Sequence, residues 1–202
     1  MKQEEKTRKT KERIIKAAMK EFGEKGYAGA TMNSICRAGI PKGLIYYNFA
    51  NKDTIYLECA RRCMKELMDY LEQQGVRNDP WKYLEARAHF FQENRNETGM
   101  FFEVLLQPPL KLRKEMEEIR KEFNELNEKL YLQILSEVRM RPGVSKEDAL
   151  QYFSLMQNMF NGYFNSPAYM EVECETRLLM HENNLSKLLD FIIYGIAEGG
   201  NK

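Results

Sequence analysis

The sequence predicts an all-α protein. Apolar residues recur every three or four positions along most of its 202 residues, which is the spacing of a helix with one buried face. Helix start and stop signals separate these segments, and the chain has only six prolines. No apolar run reaches the roughly 18 residues that a membrane span needs, and no apolar segment follows the charged N-terminus. We therefore expect a cytoplasmic protein without a membrane partner.

The first predicted helix covers "TKERIIKAAMKEFGEKGY" and should stop between Gly23 and Gly26. Its apolar positions Ile14, Ala18 and Phe22 share one face. The charge of this region is uneven, because residues 1–52 contain 12 Lys or Arg and five Asp or Glu, whereas the rest of the chain contains 19 and 25. A basic N-terminal region indicates binding to a polyanion, although a solvated basic helix face would give the same count.

Two short helices are predicted next. Thr31 can cap the first of them, and Gly39 should end it in a left-handed conformation. Pro41 suits the first position of the other, which would run to Phe49. Two short helices around a turn at residues 38–40 form a helix-turn-helix.

The second helix of this motif enters the DNA major groove with its N-terminus first. Lys42, Gly43 and Leu44 would then meet the DNA, and a glycine would let the phosphate backbone come close. Tyr46 and Tyr47 can donate hydroxyl hydrogen bonds to phosphates, which positions the protein without reading sequence. Ordinary half-buried packing is the alternative for either ring.

Residues 8–60 resemble the DNA-binding region of the tetracycline-repressor (TetR) family of bacterial regulators. The likeness lies in "KGYAGATMNSICRAGIPKGLIYYNFANKDTIY", where a "GY…T" step and the pattern "AG…KG.(L/I)YYHF..K" recur in order and spacing. The chain departs from that pattern at Pro41, often Ser or Thr, at Leu44, often Thr, and at Asn48, usually His. Two hydroxyl donors are thereby lost, so relatives do not predict the operator sequence, and Leu44 can instead contact a thymine methyl.

The resemblance implies a set of DNA-contacting residues on the helix-turn-helix and at the start of the fourth helix. These are Thr31, Pro41, Lys42, Gly43, Leu44, Tyr46, Tyr47, Asn48 and Lys52. Lys52 has independent support, because Asn51 can cap the fourth helix and the first turn of a helix would otherwise favour an acid. A nearby phosphate would explain the lysine, and a solvated side chain is the alternative.

The remaining residues predict a second helical domain, which gives a division into residues 1–52 and 53–202. A fourth helix should end near Gly75, a fifth should run from Pro80 to about Asn96, and a long charged helix should cover about Lys111 to Met140. "SKED" at 145–148 resembles a capping box for the next helix, and a final helix passes through "LSKLLDFIIYGIA".

Cys59 and Cys63 stand one turn apart on the fourth helix. This spacing can hold a metal, but no histidine or third cysteine lies nearby in sequence, so core packing is the expected role. We predict no metal and no cofactor.

The last two helices are the predicted dimer interface, in a four-helix bundle across a two-fold axis. The predicted interface residues are Tyr152, Phe153, Phe160, Leu185, Leu189, Ile192, Ile193 and Ile196. A purely intramolecular core is the alternative for these side chains.

The second domain is rich in aromatic and sulfur-containing side chains that can line an apolar cavity. The predicted pocket residues are Tyr83, Phe90, Phe101, Phe102, Leu105, Met156, Met159 and Tyr163. Arg87, His89, Glu103 or Asn158 could orient a ligand there. The resemblance implies that such a pocket exists, and ordinary core packing is the alternative for most of the predicted lining residues.

These patterns together predict a ligand-responsive DNA-binding regulator. The resemblance implies a repressor that binds a pseudo-palindromic operator as a homodimer and is released by a small, largely apolar effector. A ligand-independent helical DNA-binding protein is the alternative. An enzyme is not expected, because the chain has two histidines, no nucleophile-elbow motif and no phosphate-binding glycine loop.

Overall fold

The computed structural model describes residues 2–196, without the side chains of residues 2–4, 95, 96, 170, 174, 175 and 196. The all-α prediction is confirmed, since the elements of this part of the chain are helices. The ten α-helices are α1 (Lys2–Gly29), α2 (Met32–Cys36), α3 (Lys42–Asn48), α4 (Lys52–Gln73), α5 (Pro80–Glu93), α6 (Arg95–Leu106), α7 (Arg113–Glu137), α8 (Lys146–Phe164), α9 (Pro167–Met170) and α10 (Cys174–Ile196). Short 3₁₀ turns cover Val76–Asn78 and Leu110–Leu112.

The helix-turn-helix forms as the sequence predicts. Thr31 begins α2 with a capping box, in which its hydroxyl accepts from the Ser34 backbone N–H at 3.0 Å and its own N–H donates to Ser34 Oγ at 2.8 Å. Gly39 then reverses the chain at φ 75°. Pro41 occupies the N-cap of α3, one position before the expected first turn.

Helix α1 begins earlier than predicted, at Lys2, and the predicted stop between Gly23 and Gly26 is confirmed at Gly26 and not at Gly23. The helical path breaks at Gly26, with φ 66° and ψ 172°. Gly23 instead lies against Gly99 of α6, and a Cβ atom added at Gly23 would stand 3.0 Å from the Gly99 carbonyl carbon. The absence of side chains at these two positions lets the backbones of α1 and α6 approach each other.

The later helices differ from the prediction mainly at their ends. Helix α5 ends at Glu93, and "GMFFEVLL" belongs to the separate helix α6. Helix α7 begins at Arg113 because residues 110–112 form a 3₁₀ turn behind two prolines. Helix α10 starts near residue 174, well before the predicted segment. The capping box of Ser145 and Asp148 is confirmed.

The described chain divides into two compact units. The first unit comprises Met1–Glu66 and Asn94–Arg120, and the second comprises Leu67–Glu93 and Lys121–Lys202. The first is built on the buried face of α1, with Ile14, Ala18 and Phe22 inaccessible to solvent. A core cluster of the second contains Tyr131, Leu135, Ala149 and Ile192. Within the described residues, each helix is too short or too polar to cross a membrane.

Candidate nucleic-acid interface

Helix α3 has one face in the core and one face in solvent. Ile45 and Phe49, one turn apart, are buried and fix the helix against the first unit. The opposite face presents Lys42, Gly43, Leu44, Tyr46 and Tyr47, which are all exposed. The predicted reading residues therefore share a single accessible surface, which is the geometry that a groove-binding helix requires.

The two tyrosines of α3 differ in exposure. Tyr47 is 79% exposed and Tyr46 is 48% exposed, so burial against the chain accounts for part of the Tyr46 ring only. Lys42 Nζ lies 5.8 Å from the centre of the Tyr46 ring, a cation–π contact that holds a positive charge at this surface. An exposed tyrosine beside a lysine can donate its hydroxyl hydrogen to a phosphate while its ring covers the adjacent sugar.

Gly43 has no packing partner that would exclude a larger residue. A Cβ atom built on Gly43 has nothing within 4 Å, and its backbone is helical. A glycine inside a helix is less favourable than alanine by roughly 0.5–1 kcal/mol. Packing within the chain does not require this glycine, and the predicted close approach of a DNA backbone would.

The polar residues at the edges of this surface are engaged within the chain. Thr31 holds its capping box and is exposed. The Asn48 side-chain amide donates to the Leu44 carbonyl at 2.8 Å, which leaves its oxygen as an acceptor. Pro41 is exposed at the start of α3.

Lys52 is half-buried, and the structure gives it a role inside the protein. Its ammonium donates to the carbonyl oxygens of Tyr27 at 2.8 Å and Ala30 at 3.0 Å, and lies 4.0 Å from the centre of the Tyr27 ring. Burial lowers the pKa of Lys52, and the nearby Lys111 lowers it further. Two of its three N–H donors are used, so one remains for the predicted phosphate contact.

A polar cluster behind the helix-turn-helix was not predicted from the sequence. Glu103 of α6 is buried and accepts the backbone N–H of Tyr27 at 2.6 Å, beside the break at Gly26. The Tyr27 hydroxyl bonds to Asp53, which also receives Lys111 Nζ at 2.7 Å. The hydrogen bond from Lys111 holds the pKa of Asp53 below its usual range. These partners are more than 20 residues apart in sequence, which periodicity does not connect.

The predicted pocket residues are distributed over both units. Phe101 and Phe102 are buried in the first unit, where Leu105 is half-buried. In the second unit the structure places the others at different depths, with Tyr83 and Phe90 buried, Met156 half-buried, and Met159 and Tyr163 exposed.

Several predicted interface residues pack against other side chains of the same protomer. Ile192 and Ile193 are buried in its core, so they are not available to a second copy. Phe153 stacks on Tyr131 with ring centres 3.9 Å apart, and Phe160 packs against His181 at 4.6 Å. Leu185 and Leu189 are half-buried and line a cavity. The prediction for the Ile196 side chain lies outside the described residues.

The exposed apolar side chains of the last helices form a different stripe. On α8 they recur every three or four residues and therefore share one face, and on α10 they continue toward its C-terminal end. They are Tyr152, Leu155, Met159 and Tyr163 on α8, and Leu179, Met180, Phe191 and Tyr194 on α10. Tyr152 is the one predicted interface residue among them.

The Cys59 and Cys63 thiols are fully buried, as expected for core residues. Burial raises the pKa of both thiols, which keeps them protonated. Among the residues that the structure describes, no three His, Cys, Asp or Glu side chains come together as a metal site.

The sequence model of the bacterial regulatory proteins, tetR family, matches residues 14–59. The biofilm operon icaADBC HTH-type negative transcriptional regulator IcaR of Staphylococcus epidermidis is 37% identical over 62 residues, which are 30% of this chain and 34% of IcaR. The chain spans about a third of the length of the curated relatives that it matches.

Solved structures share the fold over most of the chain. FadR from Bacillus subtilis, in complex with stearoyl-CoA, has a TM-score of 0.63 and 19% identity, and covers 91% of this chain and 98% of its own. SmeT in its triclosan complex has a TM-score of 0.63 and 19% identity, and covers 95% and 93%. SmeT is the repressor of the Stenotrophomonas maltophilia multidrug efflux pump SmeDEF. The shared fold is an N-terminal helix-turn-helix domain followed by a larger helical domain.

Proposed function

We propose that the chain is a DNA-binding transcriptional repressor of the tetR family and not an enzyme, because the family model matches residues 14–59 and the IcaR regulator is 37% identical over 62 residues. The observation that carries this proposal is the exposed surface of α3. Gly43, Tyr46 and Tyr47 are exposed there without a packing role that explains them fully. A repressor that binds chromosomal DNA works in the cytoplasm.

We propose that the exposed surface of α3 makes two kinds of DNA contact. Some do not depend on the DNA sequence, and one does. Lys42, Tyr46 and Tyr47 contact phosphates and set the register, and Leu44 at the exposed start of α3 contacts a thymine methyl in the major groove. Thr31, Pro41 and Asn48 border this surface, and Lys52 supplies a phosphate contact with its remaining donor. Residues 1–52 carry the helix-turn-helix, and the chain from residue 53 onward carries the effector response and dimerisation.

A homodimer fits this proposal, because two copies of α3 about 34 Å apart can enter successive major grooves of a pseudo-palindromic operator. The exposed stripe of α8 and α10 is the surface that we assign to the second copy. An exposed apolar face of this kind on a soluble protomer marks an interaction site. The two helices and their copies would form a four-helix bundle.

The regulation that we propose is release by a small, largely apolar effector. A ligand shifts the protein away from its DNA-competent form only if it binds the other form more tightly. FadR in complex with stearoyl-CoA and SmeT in complex with triclosan share this fold, and each ligand has a large apolar part. This similarity supports effector binding in the present chain.

The test is a DNA-binding titration of the full-length protein on a duplex selected from a random-sequence pool, at two or more salt concentrations. Lys42→Ala should reduce the slope of log K against log salt by about 1, because one phosphate contact is lost. Tyr47→Phe should weaken binding by about threefold to tenfold, since it removes one hydrogen bond. Lys121→Ala, an exposed lysine of α7, is the control and should change neither quantity.

Binding that ignores salt, or variants that all bind like the wild type, would contradict the assignment of α3 as the reading helix. Binding that responds to salt and to both variants, but to no effector, would favour the ligand-independent alternative.

A further inference from the structure

Helix α1 presents a row of positively charged side chains to solvent. The row consists of Lys6, Lys9, Arg13, Lys16 and Lys20, which are all exposed. Successive members are three or four residues apart, so at about 100° per residue they lie within an arc of about 80° on the helix surface. At about 1.5 Å per residue the row is about 21 Å long. We call these five residues the basic stripe.

The basic stripe faces away from α3. The buried side of α1, which carries Ile14, Ala18 and Phe22, is on the opposite side of the helix. Lys11 extends from that side, and its ammonium lies 5.5 Å from the centre of the Phe49 ring at the C-cap of α3. The exposed surface of α3 is turned away from this contact. A duplex read by α3 therefore lies across the core of the first unit from the basic stripe.

Acidic side chains do not neutralise the middle of the stripe. Arg13 and Lys16 form no ion pair with a residue that the structure describes. Glu12 stands one turn before Lys16, but its carboxylate accepts two hydrogen bonds from the guanidinium of Arg62 on α4. The hydrogen bond from Arg62 lowers the pKa of Glu12, so the carboxylate stays ionised in that pair. The negative charge nearest to the middle of the stripe is thus bound elsewhere.

Two members of the stripe have acidic partners that a stronger anion can replace. Lys9 pairs with Glu5 at 2.8 Å, and Lys20 pairs with Glu24 at 3.8 Å. Both pairs are exposed and join residues one turn apart. Such pairs contribute little and are screened by salt. All five positive charges are therefore available to a polyanion.

The uniform charge of the stripe distinguishes it from an ordinary solvated helix face. On α7 the exposed positions one turn apart alternate in sign, as Arg113, Glu117, Lys121 and Glu125 do. Alternating signs are typical of a helix that faces water only. A row of one sign along a helix is the electrostatic footprint of a nucleic-acid contact.

We propose that the basic stripe of α1 is a second DNA-contacting surface, which binds the phosphate backbone of another duplex segment while α3 occupies its operator. This inference goes beyond the proposed reading function, because the protein would then hold two segments of DNA together. A duplex carries one negative charge per roughly 1.7 Å of its axis, so a stretch as long as the stripe offers more phosphates than the stripe has cations. Such contacts do not read sequence, so any double-stranded DNA fits.

The experiment captures a second duplex on an immobilised first one. A duplex selected for tight binding to the full-length protein is fixed to a surface in excess over the protein, so that every copy of α3 is occupied. A labelled duplex of unrelated sequence is then added at about 50 mM salt, and the wild type should capture it. With five phosphate contacts and a slope of about 0.9 for each, its affinity should fall roughly 500-fold between about 50 and 200 mM salt.

Three double variants test the surface. Arg13→Ala with Lys16→Ala removes two contacts, so capture should be weaker and the loss with salt should shrink to roughly 40-fold. Arg13→Lys with Lys16→Arg keeps both charges and should capture like the wild type. Lys121→Ala with Lys187→Ala removes the same charge from exposed helix positions of the second unit and should also capture like the wild type. Alanine favours helix, so neither alanine variant should melt lower than the wild type.

The first duplex should bind all of these variants within about twofold of the wild type, because α3 is unchanged. No capture by the wild type, or equal capture by Arg13→Ala with Lys16→Ala, would overturn the proposal and leave a solvated helix face. An equal loss of capture in the Lys121 and Lys187 variant would show an effect of net charge and would overturn it too. Weaker binding of the first duplex to Arg13→Ala with Lys16→Ala would place the stripe on the duplex that α3 reads, which contradicts a second segment.

The same preparations separate this inference from the proposed reading function. If Lys42→Ala and Tyr47→Phe weaken binding of the first duplex but nothing is captured, this inference fails while the reading function stands. If those two variants bind the first duplex like the wild type, and Arg13→Ala with Lys16→Ala loses capture, the reading function fails while the second surface stands.

Discussion

The substitution Gly43→Ala should stabilise the protein and weaken its binding to DNA. A Cβ atom at Gly43 meets no atom of the chain within 4 Å, and alanine is better than glycine inside a helix by roughly 0.5–1 kcal/mol. In a chain of this size 1 kcal/mol raises the melting temperature by about 2–4 °C. The same methyl group would keep a DNA backbone from coming close to α3. The loss of one charge-assisted hydrogen bond to a phosphate costs about 1.5–3 kcal/mol, which lowers the affinity for DNA more than tenfold.

The assay pairs thermal unfolding with a DNA titration at fixed salt. Asn124→Ala on α7 is the control, because Asn124 is exposed and its replacement raises helix propensity far from α3 in sequence. The control should gain stability and keep its affinity for DNA. If Gly43→Ala also keeps its affinity, then the close approach of DNA to this residue is refuted, even if the protein is stabilised as expected.

Three further predictions follow from packing and charge. Gly99→Ala should lower the free energy of unfolding in urea by roughly 1–3 kcal/mol, because its Cβ would stand 3.0 Å from Gly23 Cα. An unchanged urea midpoint would contradict that packing. Phe191→Glu should convert a dimer into a folded monomer in sedimentation velocity, since Phe191 is 75% exposed in the protomer, whereas Ser186→Glu on another face should stay dimeric. Burial, aided by the charge of Arg87, holds the pKa of His181 below its ordinary value. The free energy of unfolding should therefore fall as the pH drops through about 6.5, and His181→Gln should make it depend less on pH.

The helix-turn-helix was predictable because its signals are local. Thr31 caps α2 through Ser34, three residues away, the left-handed turn at residue 39 favours a glycine, and Ile45 and Phe49 stand one turn apart. Each signal acts within a few residues, so the local sequence is enough to predict the motif. Gly23 shows the limit of the same rule, because it looks like a stop signal but serves the contact with Gly99, 76 positions later.

The cavity and the core of the last helices were not predictable in the same way. An amphipathic stripe tells which face of a helix is apolar, but not whether the chain itself or a second copy covers it. Ile192 and Ile193 belong to the stripe that the chain covers, and Phe191 and Tyr194 on the same helix remain exposed. The cavity that Leu185 and Leu189 line is visible only after α5, α7, α8 and α10 are assembled.

The reading helix depends on residues far beyond the predicted boundary at residue 52. Glu103 binds the Tyr27 backbone at the break of α1, and Lys111 holds Asp53, which in turn bonds to the Tyr27 hydroxyl. Tyr27 is therefore held by three residues outside the predicted domain. Lys52 and Lys111 also pack on the Tyr27 ring. A displacement of α6 or of the 3₁₀ turn at Lys111 would therefore move the start of α4 and the end of α1 together. Residues 1–52 are the proposed DNA-reading part, but the compact unit that contains them also includes Asn94–Arg120.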